Sequence, residues 1–160
     1  ELTDLFFSIA ERNISGFFMY RDFQPRNIMI RNDKLFYIDF QSGMNGPVQY
    51  DLVSFLYSGS ISIDRHQRHE LSDIYFDGFS KTSGTDIQAL RDDVPEIALL
   101  RMVQVIGSYS FVHSRNPSAG TLVKIPKAVS NVESLLPDLK EGTLKWFAVE
   151  LCEKFRKDHS

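Results

Sequence analysis

Two short runs rich in Ile, Phe and Tyr, "NIMIR" from Asn27 and "KLFYIDF" from Lys34, are separated only by Asn32 and Asp33. Residues of these types favour extended chain, and a two-residue polar connection suits a tight antiparallel turn, so the pair is predicted to be a β-hairpin. Asn27 and Asp39 fall at its two open ends. Antiparallel pairing would bring those ends together.

Most of the remaining sequence has helical spacing. The segment "ELTDLFFSIAERN" places Leu2, Leu5, Phe6, Ile9 and Ala10 on one face, and Gly16 breaks the pattern before the extended "FFMY". After the Gly-rich "QSGMNGPVQYD", Asp51 is placed as the N-cap of a helix running through "LVSFLYSG". A second helix is expected to bury Leu71, Ile74, Tyr75 and Phe79 and to close at "SGTD". A longer one runs from about Pro95 through Phe111, with Ala98, Met102, Val105, Ile106 and Tyr109 on one face. Pro126 suits the first turn of another, with Ile125, Val129, Val132 and Leu136 facing inward. In the last helix Leu144, Phe147, Ala148, Leu151, Cys152 and Phe155 follow the period throughout. No internal repeat or low-complexity linker interrupts the pattern. The fold class expected is α+β, a polar-ended hairpin on a body of five or six helices.

Composition narrows the function classes. At 160 residues and 42% hydrophobic content the chain can bury one core, so residues 1–160 are expected to form one domain or lobe. The formal charge is −3 and the cations are scattered, which argues against a nucleic-acid partner. No run approaches the roughly 18 apolar residues of a membrane span, so no membrane partner is expected. The single cysteine, Cys152, excludes an internal disulfide and fits a reducing cytoplasm. The chain opens on Glu1, already within a helical pattern, and is expected to be part of a longer protein.

Within "YRDFQPRN", an acid and an amide lie five residues apart just ahead of the first strand, and Asp39 ends the second. Taken singly, an Asp beside an Arg is usually a surface ion pair, and Asn and Asp near hairpins are usually turn formers. Together they suit phosphoryl transfer, where one carboxylate faces the attacking hydroxyl while a second carboxylate and an amide oxygen hold a divalent metal against the phosphates. Asp39 follows the apolar "LFYI", where an acid would be costly to bury without a partner such as a metal.

"YRDFQPRN" resembles the catalytic loop of the protein-kinase-like superfamily, and "IDFQ" resembles its metal-binding Asp-Phe-Gly with Gln41 in place of Gly. Gln24, Gln41 and the later "GPVQYDL" make the sequence similar to the aminoglycoside phosphotransferase and choline kinase branch. Within that branch it most resembles bacterial sugar kinases that phosphorylate the anomeric hydroxyl of N-acetylmuramate or N-acetylglucosamine. The match is strong from Phe17 to Leu56 and loose beyond.

The resemblance implies that Asp22 orients the acceptor hydroxyl and accepts its proton, while Asn27 and Asp39 bind Mg²⁺ bridging the phosphates of ATP. It implies that Met29 and Ile38 pack against the adenine and that Asp51 braces the catalytic loop through backbone amides. Tyr20, beside Arg21, stands where His is commoner, in a largely architectural position. Gln24 stands where many relatives carry His or Lys near the γ-phosphate, so more of the neutralisation would fall to metal.

No Gly-rich phosphate loop, strand lysine or partner glutamate is found in these residues. The resemblance therefore implies a C-terminal lobe whose ATP-covering N-terminal lobe is its partner and lies elsewhere. The isolated fragment is expected to be inactive. The parent protein is expected to transfer the γ-phosphoryl group of ATP to a small-molecule hydroxyl, with an amino sugar as acceptor. The alternative is a non-catalytic pseudokinase, a nucleotide-sensing or scaffold module.

The other polar and aromatic candidates read as structural. His66 and His69 lack an evident third metal ligand and suit a solvated helix face, and His113 and His159 are isolated. Tyr109, Phe111, Trp146 and Phe147 could stack on a sugar but are expected in the core. Cys152 is expected as a small buried hydrophobe.

Overall fold

The computed structural model describes residues 2–13, 16–84 and 87–158. Its elements are α1 (Leu2–Asn13), β1 (Phe17–Met19), β2 (Ile28–Arg31), β3 (Lys34–Tyr37), β4 (Met44–Gly46) and α2 (Val48–Leu56). They are followed by α3 (Arg65–Ser83), α4 (Gln88–Asp92), α5 (Val94–Arg115), α6 (Ala119–Leu135) and α7 (Thr143–Asp158). The class is α+β.

The hairpin forms as its sequence dictates. β2 pairs antiparallel with β3 in the register Met29 to Phe36 and Ile30 to Leu35. Asn32 and Asp33 both take positive φ, 48° and 58°, the conformation a two-residue hairpin turn requires and these residue types tolerate. A second ladder joins β1 to β4, with Phe18 opposite Asn45. The Gly-rich stretch did not announce β4, because three residues with one apolar side chain carry no period.

The helical body holds the core. Ile9 of α1, Val53 of α2, Phe76 of α3, Leu99 of α5, Val132 of α6 and Ala148 of α7 are all buried in one cluster. α5 packs against α2 and α6, and α7 against α6. Cys152 is buried on α7, and burial pushes its thiol up to about 11. The side chains of Leu2 and Ala10, together with Thr85, Asp86 and His159, lie outside the described residues.

Four helix expectations are corrected. Asp51 does not cap α2: the helix starts at Val48 after Pro47, and the Asp51 carboxylate reaches back to the segment after β1. On α3, Ile74 points outward at 69% exposure and Leu71 is also exposed, while Phe76 turns fully inward. Tyr75 and Phe79 do pack against the core as expected, so half of the stripe holds, and Phe76 takes the buried place that Leu71 and Ile74 do not fill. The ends of α3 are set by polar contacts, a capping box between Asp64 and Gln67 and a left-handed Gly84 at φ 68°. Pro126 lies inside α6, which begins at Ala119 behind the N-cap Ser118. The weakly apolar first turns hid that start. Finally, seven α-helices occur among the described residues rather than five or six, counting the short α4.

Candidate functional site

Met19, at the end of β1, leads into a loop closed by the 3₁₀ turn Pro25–Asn27, which feeds directly into β2. Asp51 holds the start of that loop. Its Oδ2 accepts the Tyr20 backbone N–H at 2.5 Å and its Oδ1 accepts that of Arg21 at 2.9 Å. Arg21 sits at φ 74°, a left-handed conformation costing a non-glycine residue roughly 1–3 kcal/mol. The two charge-assisted bonds to one half-buried carboxylate hold it there. Burial raises the Asp51 carboxyl above its ordinary value, while the two amide bonds and the Arg101 charge pull it back down.

Tyr20 ties the loop to the hairpin. The side chain is buried and its hydroxyl donates to the Ile38 carbonyl. Burial raises the phenol above its ordinary value, and the Asp39, Asp22 and Asp51 charges add to the effect. The Phe23 ring packs at 6.0 Å from Tyr37 on β3 and 5.8 Å from Phe55 on α2, bridging hairpin and body.

Asn27 is the hub. It is 6% exposed, and its Nδ2 donates to the Asp22 carbonyl at 2.8 Å and to Asp22 Oδ2 at 3.1 Å. Its backbone carbonyl accepts the Ile38 N–H at 3.0 Å, placing Asp39 one residue beyond that closed pair. Asp22, Asn27 and the strand end carrying Asp39 are thus brought together. Asp39 itself is exposed, not buried as "LFYI" suggested, because φ 67° turns the chain out of the strand direction. Its Oδ1 accepts from Gln41 Nε2 at 2.6 Å.

Two contacts to Asp22 were not anticipated. Gln24 Nε2 donates to its Oδ1, and Arg26 pairs with its Oδ2 at 3.0 Å. The Asp22–Arg26 spacing of four was the available signal, although it is realised here through a 3₁₀ turn.

The donor set fits a hard divalent cation. With Nδ2 of Asn27 committed to Asp22, its Oδ1 accepts no hydrogen bond from the described residues, and neither does Oδ2 of Asp39. Among the described residues no three His, Cys, Asp or Glu side chains converge as a metal cage. Two protein oxygens suit Mg²⁺, which keeps waters and phosphate oxygens as its remaining ligands. His66 and His69 are exposed, facing Glu70 at 3.6 Å and Asp138 at 3.7 Å. Met29 and Ile38, at even spacing through the Met29–Phe36 register, share one open face of the hairpin, 55% and 43% exposed.

Beside the loop, Gln24 and Arg26 form part of the wall of a cavity of about 520 Å³ between α2, α5 and α6. Tyr109 of α5 lines it, whereas Phe111 and Trp146 are 58% and 61% exposed and not in the core. Ser54, in the same wall, has a buried hydroxyl with no hydrogen-bond partner. A polar occupant nearby would offset a desolvation cost of about 1–3 kcal/mol.

Residues 11–86, just under half of the chain, match the model of the Phosphotransferase enzyme family (APH), which belongs to the protein-kinase-like superfamily. The loop, the hairpin and α2 all fall inside that match, and a phosphotransferase family supports kinase-type chemistry. A search among curated proteins returned no match. None of the described helices is long and apolar enough to cross a membrane.

Proposed function

We propose that the parent protein transfers the γ-phosphoryl group of ATP to a hydroxyl of a small molecule, with an amino sugar as the acceptor favoured by sequence resemblance. The observation that carries the reading is the hub at Asn27. One buried amide binds Asp22, while the same residue's carbonyl fixes the strand that ends at Asp39. This is the juxtaposition of base and metal donors that phosphoryl transfer needs.

In the reaction proposed, the acceptor hydroxyl enters from the cavity beside Gln24 and Arg26 and donates its hydrogen bond to Asp22. As the acceptor oxygen bonds to the γ-phosphorus and the bond to the bridging oxygen of ADP breaks, Asp22 takes the proton. Arg26 must first swing away from Asp22 Oδ2, which its 64% exposed side chain permits. Asn27 Oδ1 and Asp39 would hold Mg²⁺, which supplies charge neutralisation at the phosphates. The open face bearing Met29 and Ile38 would take the adenine. Tyr20, Arg21 and Asp51 position the loop without touching substrate.

The glycine-rich cover for ATP is assigned to a lobe outside these 160 residues, so the isolated chain is expected to be inactive. The test is ADP release by the full-length parent with Mg²⁺ and ATP across N-acetylmuramate, N-acetylglucosamine, an aminoglycoside and choline. Acceptor-dependent release that Asp22→Asn reduces by about 10²–10⁴-fold upholds the reading. Metal-dependent nucleotide binding without release on any acceptor would favour the nucleotide-sensing scaffold instead.

A further inference from the structure

The cavity beside the loop carries a charge pattern that the fold does not need. Arg101 and Tyr109 on α5 lie eight residues apart and share one stripe, while Lys124 and Lys127 on α6 lie three apart and face them across the cavity. Arg26 adds a fourth cation at the loop end.

Three of these cations make their hydrogen bonds and ring contacts with neutral groups, Arg101 also feeling the Asp51 charge at longer range. Lys127 Nζ donates to the Gly59 carbonyl at 2.6 Å, and Lys124 Nζ lies 5.2 Å from the Tyr109 ring centre. Arg101 donates to Gln104 Oε1 at 2.9 Å and covers the Tyr50 ring at 5.2 Å. None of the three is within ion-pair distance of a carboxylate among the described residues. Among the described residues no acidic side chain lines the cavity. The nearest acids in the network are already engaged: Asp22 with Arg26, and Asp51 with two backbone amides. The cationic lining stands against a formal charge of −3 for the chain, so it is a local feature and not a general bias.

A cationic acceptor entering this space would meet like charge with no carboxylate in the cavity lining to offset it, and like-charge juxtaposition is a strong source of discrimination. An anion would supply these side chains with the ion-paired acceptor that they lack among the described residues. We propose that the cavity selects an acceptor carrying an anionic group, a carboxylate or a phosphate, as well as the hydroxyl presented to Asp22. Lys124, Lys127 and Arg101 hold the anion while Arg26, at the loop end, orients the hydroxyl-bearing part. This substrate class rests on the phosphoryl-transfer reading above, but its binding half can be tested without turnover.

The experiment uses full-length parent protein, Mg²⁺ and ATP with two matched acceptor pairs and choline as the cationic control. N-acetylmuramate against N-acetylglucosamine adds a carboxylate, and glucosamine 6-phosphate against glucosamine adds a phosphate. At least one anionic member is expected to exceed its neutral partner about tenfold in kcat/KM, and the better pair names the anion. In Lys124→Gln/Lys127→Gln that preference ratio is expected to fall about tenfold, mainly through KM. Circular dichroism checks the fold of the variant, whose altered side chains are both exposed. Preference for neutral acceptors or choline, or an unchanged ratio in the variant, overturns the proposal. If no acceptor releases ADP, calorimetric binding of N-acetylmuramate and glucosamine 6-phosphate separates the two failures. Anion binding lost in the double variant would keep the cavity assignment while phosphoryl transfer fails, and no binding of either anion would overturn the cavity assignment as well.

Discussion

Ile30, near the turn of the hairpin, leaves 76% of its surface open, whereas Phe76 on α3 leaves none. The contrast extends to the regions around them. Leu35, Phe36, Tyr37 and Phe40 are all about half exposed or more, while Val53, Leu99 and Val132 are fully buried in the helical body. Both regions are rich in large apolar residues, so composition does not separate them. Partnership does: the body's helices cover one another, whereas the hairpin meets the rest of the chain through a few contacts such as the Phe23–Tyr37 packing and the Tyr20–Ile38 bond. The body should therefore carry the stability of the chain, and the hairpin should carry its surface chemistry.

The largest expected effect lies in the body. Phe76→Ala leaves a cavity where a ring meets Tyr75 edge-on at 5.4 Å and Arg91 at 5.4 Å, and should cost about 3–5 kcal/mol in urea denaturation. A loss below 1 kcal/mol would mean that α3 is peripheral and would break the comparison from the body's side.

The body should also respond to alkali. Burial pushes the Tyr57 phenol up to about 12 from the ordinary value of 10.0, against the pull of Arg68, whose guanidinium lies 4.2 Å from the ring centre. Below pH 10 the phenol is neutral in both states and costs nothing. Between pH 10 and about 12 the unfolded chain ionises first, so stability falls as pH rises through that window. Tyr57→Phe should flatten the decline by up to about 1.4 kcal/mol per pH unit. Tyr75, also raised to about 12 by burial, keeps its own share of the slope. An unchanged slope in the variant would show that Tyr57 is accessible to hydroxide.

Asp51 is the join between the regions and should give a smaller, more local effect. Asp51→Ala strands the Tyr20 and Arg21 amides and removes what holds Arg21 at φ 74°, at a cost of about 2 kcal/mol. Hydrogen exchange at those two amides should accelerate more than exchange in α5. Equal acceleration in both would mean that loop and body open together.

How much of this was legible in the sequence depended on what fixes each element. The hairpin and α7 were readable because their signals are local: Ile-, Phe- and Tyr-rich runs on either side of Asn32-Asp33, and six apolar residues at helical spacing. On α3 only Tyr75 and Phe79 were placed correctly, because its ends are fixed by Asp64, Gln67 and Gly84 and its most buried ring, Phe76, sits among polar neighbours in the sequence. Asp51 looked like a cap because it lies near a helix start, but its carboxylate serves a segment 30 residues earlier. The pairing of Asp22 with the Asn27 amide was foreshadowed by their spacing, since five residues of loop let the Asn27 side chain fold back onto Asp22. The cations of the cavity were not, because Arg26, Arg101 and Lys127 meet only when α5 and α6 pack beside the loop.

The smallest expected effect tests the hairpin directly. Ile30→Thr keeps the β-branch that suits β2 and replaces the exposed ethyl arm with a hydroxyl, so the stability of this chain should change by no more than about 0.5 kcal/mol. Urea denaturation checks it, and a loss above 2 kcal/mol would mean that the hairpin's apolar faces are already covered. The same substitution in the full-length parent sharpens the comparison, since the proposed second lobe would have to lie against this sheet. A face buried there should lose about 1–2 kcal/mol on receiving the hydroxyl, because an apolar contact is removed and a polar group is desolvated. Equal indifference in both chains would leave Ile30 in water in the parent and confine any covering lobe to the opposite face, the one that carries Met29 and Ile38.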